Sequence, residues 1–209
     1  MNQKGKRVFM ALVGVVITGI SVGLFQKASL GVDPYTSFIT GISNILGLSF
    51  GGIYTAICCV LFVIVFIFDK HYIGLTTILN LISNGFIADM ARGYMNNLMP
   101  SPNYLTRILL LFIAVIVVCF ATSLYFTANL GISVYDAISK IMTDREIASF
   151  RVCRVSSDLL CVIIGYLLKV TVGVGTIITA LFMGPLIQWF NVKVSKPFLD
   201  GNNISEKLL

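Results

Sequence analysis

Three charged residues in the second half of the chain have the types and the spacing to do chemistry inside an apolar environment. Arg154 and Asp158 lie four residues apart in a hydrophobic stretch, and Asp136 lies in a shorter stretch before it. Residues four apart share one face of a helix, so Arg154 can pair with Asp158, and Asp136 can supply a second carboxylate. Such a group can hold a proton, a cation or an anionic group, which predicts a substrate-binding or ion-binding cluster.

The cost of placing these charges in an apolar segment favours a functional role. If residues 148–168 form one span, Asp158 falls near its middle, where an unpaired charge costs at least about 2.5–3.5 kcal/mol. The alternative is an ion pair that only fixes helix packing. The matching positions of the first half are Thr36, Tyr54 and Cys58, so the repeat itself does not require charges there.

Uncharged polar residues form a second group of site candidates. Asn80, Thr176 and Thr179 lie at related depths of two apolar segments, each of which begins with a G-x-x-T motif. We expect them to line a shared cavity, although hydroxyl and amide groups also connect helices through hydrogen bonds. The segments that begin at Gly74 and Gly173 are expected to pack against each other, because small residues permit close backbone approach.

The elements that position these residues follow from the composition. The 209 residues are 57% hydrophobic and 11% charged, with a mean hydropathy of +0.93, far from the range of soluble proteins. Charge-free runs at 8–25, 108–126 and 170–192 approach the roughly 20 residues that a helix needs to cross about 30 Å of hydrocarbon. A lone strand cannot satisfy its backbone in lipid, so we predict an all-α polytopic membrane helix bundle with a single integral membrane domain at 1–209.

The chain repeats its own sequence. The stretch ASLGVDPYTSFITGI at 28–42 returns as ANLGISVYDAISKIM at 128–142. Each repeat holds a long span, a short segment after Leu-Gly, a second span and a G-x-x-T segment. The predicted parts are internal repeats at 7–90 and 107–190, a linker at 91–104 and a cytoplasmic tail at 196–209.

The short segments decide the topology. If they do not cross the membrane, each half has three spans and the halves are inverted, as in many secondary transporters. If they cross, there are eight spans and parallel repeats. Residues 132–142 carry Asp136 and Lys140 and are too short to cross at about 1.5 Å per residue, which favours six spans plus two short re-entrant or interfacial helices. Either topology puts both termini in the cytoplasm by the positive-inside rule.

Four motifs carry a resemblance to a known family. They are LGVDPY at 30–35, GLSFGG at 47–52, R-x-x-x-D at 154–158 and GVGTIITALFMGPLIQ at 173–188. With these motifs the chain resembles the YczE/YyaS/YitT-type family of bacterial multi-pass membrane proteins. The resemblance implies a protein of the bacterial cytoplasmic membrane. Members often have Pro after the second Leu-Gly, where this chain has Val134.

These patterns predict a small multi-pass membrane transporter or permease of unknown substrate, with a polar site between two repeats. The alternative is a non-transporting accessory or substrate-capture subunit of a larger complex. No enzyme, catalytic residue, metal or cofactor is predicted, because His71 is the single histidine and no nucleophile–base pair is visible. The expected partners are the lipid bilayer, a small molecule or ion, and a further membrane protein or a second copy of the chain, with no nucleic acid. Asp33 before Pro34 is interpreted as a helix N-cap.

Overall fold

The chain is a bundle of α-helices. The computed structural model describes residues 3–170 and 173–200, and these residues contain no β-strand. A 3-10 turn spans Lys70–Tyr72, and a π-helical turn spans Asn191–Ser195. The helices are α1 Gln3–Ala28, α2 Pro34–Leu46, α3 Phe50–Phe68, α4 Leu75–Leu98, α5 Tyr104–Ala128, α6 Val134–Asp144, α7 Phe150–Leu167, α8 Val174–Phe190 and α9 Lys196–Asp200. The prediction of an all-α fold is confirmed.

Several of these segments are long and apolar enough to cross a membrane. Their outward faces are apolar as lipid requires; Val60, Val63 and Ile67 of α3, for example, are all more than half exposed. By contrast, α2 has 13 residues and α6 has 11, so they reach only about 20 Å and about 17 Å, short of the roughly 30 Å of hydrocarbon. The candidate spans among the described residues are Gln3–Ala28, Phe50–Phe68, Tyr104–Ala128 and Val174–Leu199.

The helices α1 and α5 form an antiparallel pair. Near the start of α1, the Arg7 guanidinium donates to the carbonyl of Ala128 at the end of α5, at 3.3 Å. Further along α1, a Cβ atom on Gly14 would lie 2.9 Å from the carbonyl oxygen of Ala121. The contacts move backward along α5 as they move forward along α1, so the two helices run in opposite directions.

The remaining helices are arranged around this pair. α4 packs against α1, and α8 packs against α5. The short helices pack crosswise, α2 against α7 and α6 against α3, and each also contacts the helix that follows it in the chain. The short helix of each half therefore contacts a long helix of the other half.

The Leu-Gly loops that follow α1 and α5 also cross between the halves. The carbonyl of Leu30 accepts a hydrogen bond of 2.9 Å from the backbone N–H of Gly175, in the first turn of α8. The carbonyl of Leu130 accepts one of 2.9 Å from the N–H of Thr76, in the first turn of α4. Each loop thus satisfies a backbone donor that the start of a helix leaves without an intrahelical partner.

Glycine is required in both loops. Gly31 has φ +101° and Gly131 has φ +98°, the left-handed region that side chains disfavour. A Cβ atom on Gly31 would lie 2.8 Å from the backbone nitrogen of Gly173, and one on Gly131 would lie 2.5 Å from that of Gly74. Backbone conformation and close approach therefore both exclude a side chain.

One packing expectation is wrong. The segments that begin at Gly74 and Gly173 do not pack against each other, since within the described part of the chain α4 lies on α1 and α3 while α8 lies on α5. The α1–α5 pair stands between them, and the small residues approach the Leu-Gly loops instead. Gly184, a small residue further along the second of these segments, has no atom within 4 Å of its Cβ position.

Helices occupy part of the predicted linker and part of the predicted tail. Helix α4 continues through Leu98, so only 99–103 of the predicted linker 91–104 connect α4 to α5. Lys27 of α1 holds this connection, because its ammonium donates to Asn96 at 2.8 Å and to the carbonyl of Pro100 at 3.3 Å. Of the predicted tail 196–209, Lys196–Asp200 forms α9 and buries Leu199 in a cluster with residues of α1 and α5. Residues 201–209 lie outside the described part.

Candidate functional site

A central cavity of about 590 Å³ lies among the helices, and each of α1 to α8 contributes to its wall. Its charged lining residues are Asp33, Asp136, Arg154 and Asp158. Three of these four are the residues that the sequence analysis selected for their chemistry.

Arg154 joins the two predicted carboxylates. Its Nη1 atom donates to Oδ1 of Asp136 in a direct ion pair. Its Nε atom donates to Oδ2 of Asp158 at 3.4 Å, one helical turn along α7. The structure thus brings the three predicted charges into one group, named the charge cluster below. Its role in binding stays a prediction.

Local structure explains how the chain positions these groups. Arg154 and Asp158 share one face of α7 because they are four residues apart. Asp136 lies in the first turn of α6, where the positive end of the helix dipole stabilises a carboxylate. Because α6 packs against α7, this turn comes within reach of the guanidinium.

Tyrosine hydroxyls complete the coordination of the charge cluster. Tyr135 donates to Oδ1 of Asp158 at 2.7 Å, and Tyr125 donates to Oδ2 of Asp136 at 3.4 Å. The guanidinium carbon of Arg154 lies 4.6 Å from the centre of the Tyr135 ring, in a cation–π contact. Buried charges lose their hydration, and a single ion pair often does not compensate for that loss. The tyrosine partners supply additional compensation.

The first half contributes an aromatic wall to the same cavity. The rings of Tyr35 and Tyr135 stack with centroids 4.4 Å apart and planes 18° from parallel. The Tyr35 hydroxyl lies 3.3 Å from Sγ of Cys58, the position that matches Asp158 in the second half. Where the second half has a charged acceptor for its tyrosine, the first half has a thiol.

At the position of the first half that matches Arg154, uncharged side chains form a chain of hydrogen bonds. Asn84 donates to the Tyr54 hydroxyl at 3.0 Å, and Tyr54 donates to Oδ1 of Asn80 at 3.2 Å. Tyr54 occupies the position that matches Arg154. All three of these side chains line the central cavity, so Asn80 lies where the sequence analysis expected it.

The two threonine candidates lie elsewhere. Thr176 and Thr179 are buried in the first turns of α8 and do not belong to the wall of the central cavity. The Thr179 hydroxyl donates to the carbonyls of Gly175 and Thr176, both at 3.0 Å and both in the preceding turn of its own helix. The start of α8 packs against the loop at Gly31, and this contact turns both threonines away from the cavity.

Asp33 has a role beyond the predicted one. Its Oδ2 atom accepts from the backbone N–H of Thr36 at 3.0 Å, which confirms the helix N-cap. The same carboxylate lines the central cavity and interacts electrostatically with Asp158 and Arg154. Among the described residues Asp33 makes no salt bridge. No group of three or more His, Cys, Asp or Glu side chains in 3–170 and 173–200 is arranged to hold a metal ion.

Sequence reasoning missed the tyrosines of the cavity wall. Tyr35 and Tyr135 occupy matching positions, but the comparison of the repeats selected positions that differ rather than positions that agree. Had matching aromatic residues been considered as partners across a twofold axis, this pair would have been found. Tyr125 carries no such signal, because its counterpart is Phe25.

The two halves close around the central cavity to different degrees. In the first half α4 packs along α3: a Cβ atom on Gly85 would lie 2.8 Å from that of Tyr54, and Asp89 accepts from the N–H of Gly51 at 2.7 Å. The corresponding helices α7 and α8 barely touch within the described residues. Gly184, the counterpart of Gly85, faces the cavity with open space beside it.

A helical bundle with apolar outward faces and a charged cavity inside defines a multi-pass membrane protein. The chain belongs to the family of unknown function DUF6198, whose model matches residues 5–192. The resemblance to YczE/YyaS-type proteins is thereby confirmed.

Curated relatives cover most of the chain. An uncharacterized protein of Haemophilus influenzae is 28% identical over 88% of this chain and 83% of its own length. The uncharacterized protein YyaS of Bacillus subtilis is 20% identical over 91% and 94%, and the uncharacterized membrane protein YczE of the same organism is 21% identical over 84% and 81%. No solved structure matches the chain.

Proposed function

We propose that this protein is a small transporter or permease whose substrate binds in the central cavity, between two inverted repeats. The observation that carries the proposal is the unequal closure of the halves around a charged space. A binding site that one half covers and the other leaves open is what alternating access requires.

The contacts between matched parts support the inverted repeat. Tyr35 contacts its own counterpart Tyr135, and α1 contacts its counterpart α5. The pairs α2–α7 and α3–α6 exchange partners in the way that a twofold axis demands. Because α1 and α5 run antiparallel, the axis lies across the pair, which favours three spans in each half and six in total. In eight spans with parallel repeats, matched helices would point the same way.

In the transport step that we propose, the half that is now open closes over the cavity while the half that is now closed opens. Helix α8 moves onto α7 as α4 now lies on α3, and α4 withdraws from α3. Gly184 then takes the close contact that Gly85 has in this structure. The Leu-Gly loops pin the first turns of α4 and α8, so each helix pivots about the end that its loop holds.

The charge cluster supplies the coupling in this proposal. Asp136 and Asp158 hold a proton or cation, and Arg154 competes with it for both carboxylates. A ligand shifts the conformational equilibrium only if it binds the two states unequally. Displacing the guanidinium from a carboxylate provides such a difference, because the freed Arg154 then faces the position to which α8 closes.

We place the protein in the bacterial cytoplasmic membrane with both termini in the cytoplasm. The support is the basic start of α1, with Lys4, Lys6 and Arg7, because positively charged flanks stay on the cytoplasmic side. The lipid bilayer is then its main partner. The competing proposal is an accessory subunit without transport of its own.

Uptake by the purified protein alone tests the function. The full chain is reconstituted into liposomes, and a panel of radiolabelled amines, amino acids and small anions is offered with an inward proton gradient. We expect at least one compound to accumulate above protein-free liposomes. The Asp158→Asn variant should abolish the uptake, whereas Asp144→Asn, outside the cavity, should preserve it. If the chain moves no compound and co-purifies with a second membrane protein, the accessory subunit replaces the transporter.

A further inference from the structure

The central cavity carries the features of a site for one chemical class of substrate. We infer that it binds an organic cation, a protonated amine with an apolar body. Its transport rests on the proposed function, but its binding does not. Four independent properties of the cavity wall point to this class.

The first property is charge. Asp33, Asp136 and Asp158 face one cation, Arg154, so the ionised wall has a formal excess of two negative charges. Arg154 is already shared by Asp136 and Asp158. Burial disfavours the charged form of Asp33, which is stabilised by hydrogen bonds from Thr36 and by the more distant guanidinium. A bound cation would relieve this excess, whereas an anion would add to it.

The second property is the aromatic wall. Tyr35, Tyr54, Tyr125 and Tyr135 all line the cavity, and the face of an aromatic ring attracts a cation. The protein itself already uses one ring in this way, since the Arg154 guanidinium lies over Tyr135. Tyr35 and Tyr54 meet edge to face, with centroids 5.9 Å apart, and Asp33 lines the same cavity.

The third property is a buried acceptor without a donor. Oδ1 of Asn84 has no hydrogen-bond partner among the described residues, although the side chain lines the cavity and is only 5% exposed. The amide nitrogen of the same residue is engaged by Tyr54, which fixes the orientation of the group. An unsatisfied buried acceptor costs about 1–3 kcal/mol. Because the oxygen itself is buried, a small movement of the side chain toward the cavity would let an ammonium N–H satisfy it, while a quaternary ammonium or a carboxylate would not.

The fourth property is the size of the cavity together with the apolar wall that α8 provides. A cavity of about 590 Å³ is far larger than a single inorganic cation and lies within the range of small-molecule sites. The α8 wall is apolar over Leu181, Met183 and Ile187. The ammonium end of the substrate therefore lies toward Asn84 and Asp33, and its apolar body lies along α8.

Three ligands that share a phenyl ring and differ in the charge of the attached polar group test the inference on the full chain in detergent. Benzylammonium, benzyl alcohol and benzoate share one ring and carry a positive, zero and negative charge. Isothermal titration calorimetry and the thermal midpoint measure binding without any transport step. We expect benzylammonium to bind at least tenfold more tightly than the other two and to raise the midpoint. Sodium chloride at equal concentration should not reproduce the effect.

Matched variants locate the binding. Asp33→Asn keeps a side-chain oxygen for the N-cap of α2, so the fold is retained while the charge is lost, and benzylammonium should bind at least tenfold more weakly. Tyr35→Leu should weaken binding. The separate variant Tyr35→Phe should bind as the wild type does, because it keeps the ring face. Asp144→Asn removes one negative charge outside the cavity and should bind as the wild type does.

The outcomes are distinct from those of the uptake assay. Benzoate or benzyl alcohol binding as tightly as benzylammonium would overturn the organic-cation assignment, and so would the absence of binding by all three. Unchanged binding in Asp33→Asn would also overturn it. Tight and Asp33-dependent binding of benzylammonium without uptake would instead leave the inference standing and contradict the transporter.

Discussion

Tyr35 and Tyr135 stack against each other with ring centroids 4.4 Å apart, although one hundred residues of sequence separate them. Each lies in the first turn of a short helix, α2 or α6, at the same position of the repeated sequence. A residue meets its own counterpart only on or near a twofold axis. The stack therefore marks where the two halves of the cavity wall meet, and the charge cluster lies on one side of it.

Removing one member of the charge cluster should harm folding more than removing two. In Arg154→Gln, Asp136 and Asp158 lose their cationic partner; because the Arg154 side chain is 30% exposed, the cost should be below the roughly 3–5 kcal/mol of a fully buried pair. The double variant Arg154→Gln with Asp158→Asn should recover much of the thermal stability in detergent but remain inactive in uptake. A stable and fully active double variant would show that the cluster serves packing alone.

The Leu-Gly loops should not tolerate a side chain. Gly31→Ala and Gly131→Ala each force a left-handed backbone on a residue with Cβ, at about 1–2 kcal/mol, and add a clash with the helix start opposite. Both variants should lower the thermal midpoint. Gly93→Ala is the control, because its position in α4 is open and alanine favours a helix by about 0.5–1 kcal/mol. Equal midpoints for all three would contradict the loop contacts.

The inverted topology predicts that two matched loops lie on opposite sides of the membrane. Leu48 follows α2 and Ile147 follows α6, and their exposed fractions are 58% and 62%. In a background without the native cysteines, a single cysteine at one position should react in intact cells with a membrane-impermeant maleimide, and the other only after permeabilisation. Labelling of both from the same side would favour eight spans with parallel repeats.

Closure of α8 on α7 should be detectable by cross-linking. Thr55 donates to the carbonyl of Leu81 at 3.4 Å where α3 meets α4, and the matching positions are Val155 and Ala180. Cysteines at Val155 and Ala180 should form a disulfide under mild oxidation, and a transported substrate should change its rate. Cysteines at Thr55 and Leu81 should cross-link more readily in the state described here. A Val155–Ala180 pair that never cross-links would contradict the proposed exchange.

A contact outside the membrane-spanning segments gives a pH dependence. Tyr72, in the 3-10 turn, donates to Asp144 at the end of α6, and this hydrogen bond raises the pKa of Tyr72 to about 12. The neutral hydroxyl is favoured in the folded state, so the contact contributes below the ordinary tyrosine pKa of about 10 and is lost as the pH rises toward 12. Asp144→Asn should move one tyrosine transition at 295 nm to lower pH. An unchanged titration would argue against the contact.

Much of the architecture, and the pairing within the charge cluster, follow from simple sequence physics. Apolar runs without charges, such as that ending at Phe25, can satisfy their backbone in lipid only as helices, so the all-α bundle was predictable. The pairing of Arg154 with Asp158 followed from helical periodicity. The contact with Asp136 needed only that α6 lie beside α7, because few other partners are available to such charges.

The failures share one cause. Small residues such as Gly173 and Gly184 indicate close approach but do not say to what, and the approach at Gly173 is to a loop rather than a helix. Thr176 was assigned to the cavity because its depth matched, but depth does not determine which face of a helix points inward. The prediction that Asp33 is an N-cap is confirmed, but an N-cap role gives no sign that the same side chain also lines the cavity.

The one-sided charge cluster also bears on how a protein of this shape can be assembled. Two separate copies of the second half, facing each other across stacked tyrosines, would carry four carboxylates and two guanidiniums into one cavity. A single polypeptide that contains both halves escapes this symmetry, because a mutation in one half leaves the other unchanged. Tyr54 and Cys58 can then stay uncharged opposite Arg154 and Asp158, and the fused gene gives the cavity a polarity that a homodimer of identical halves cannot have.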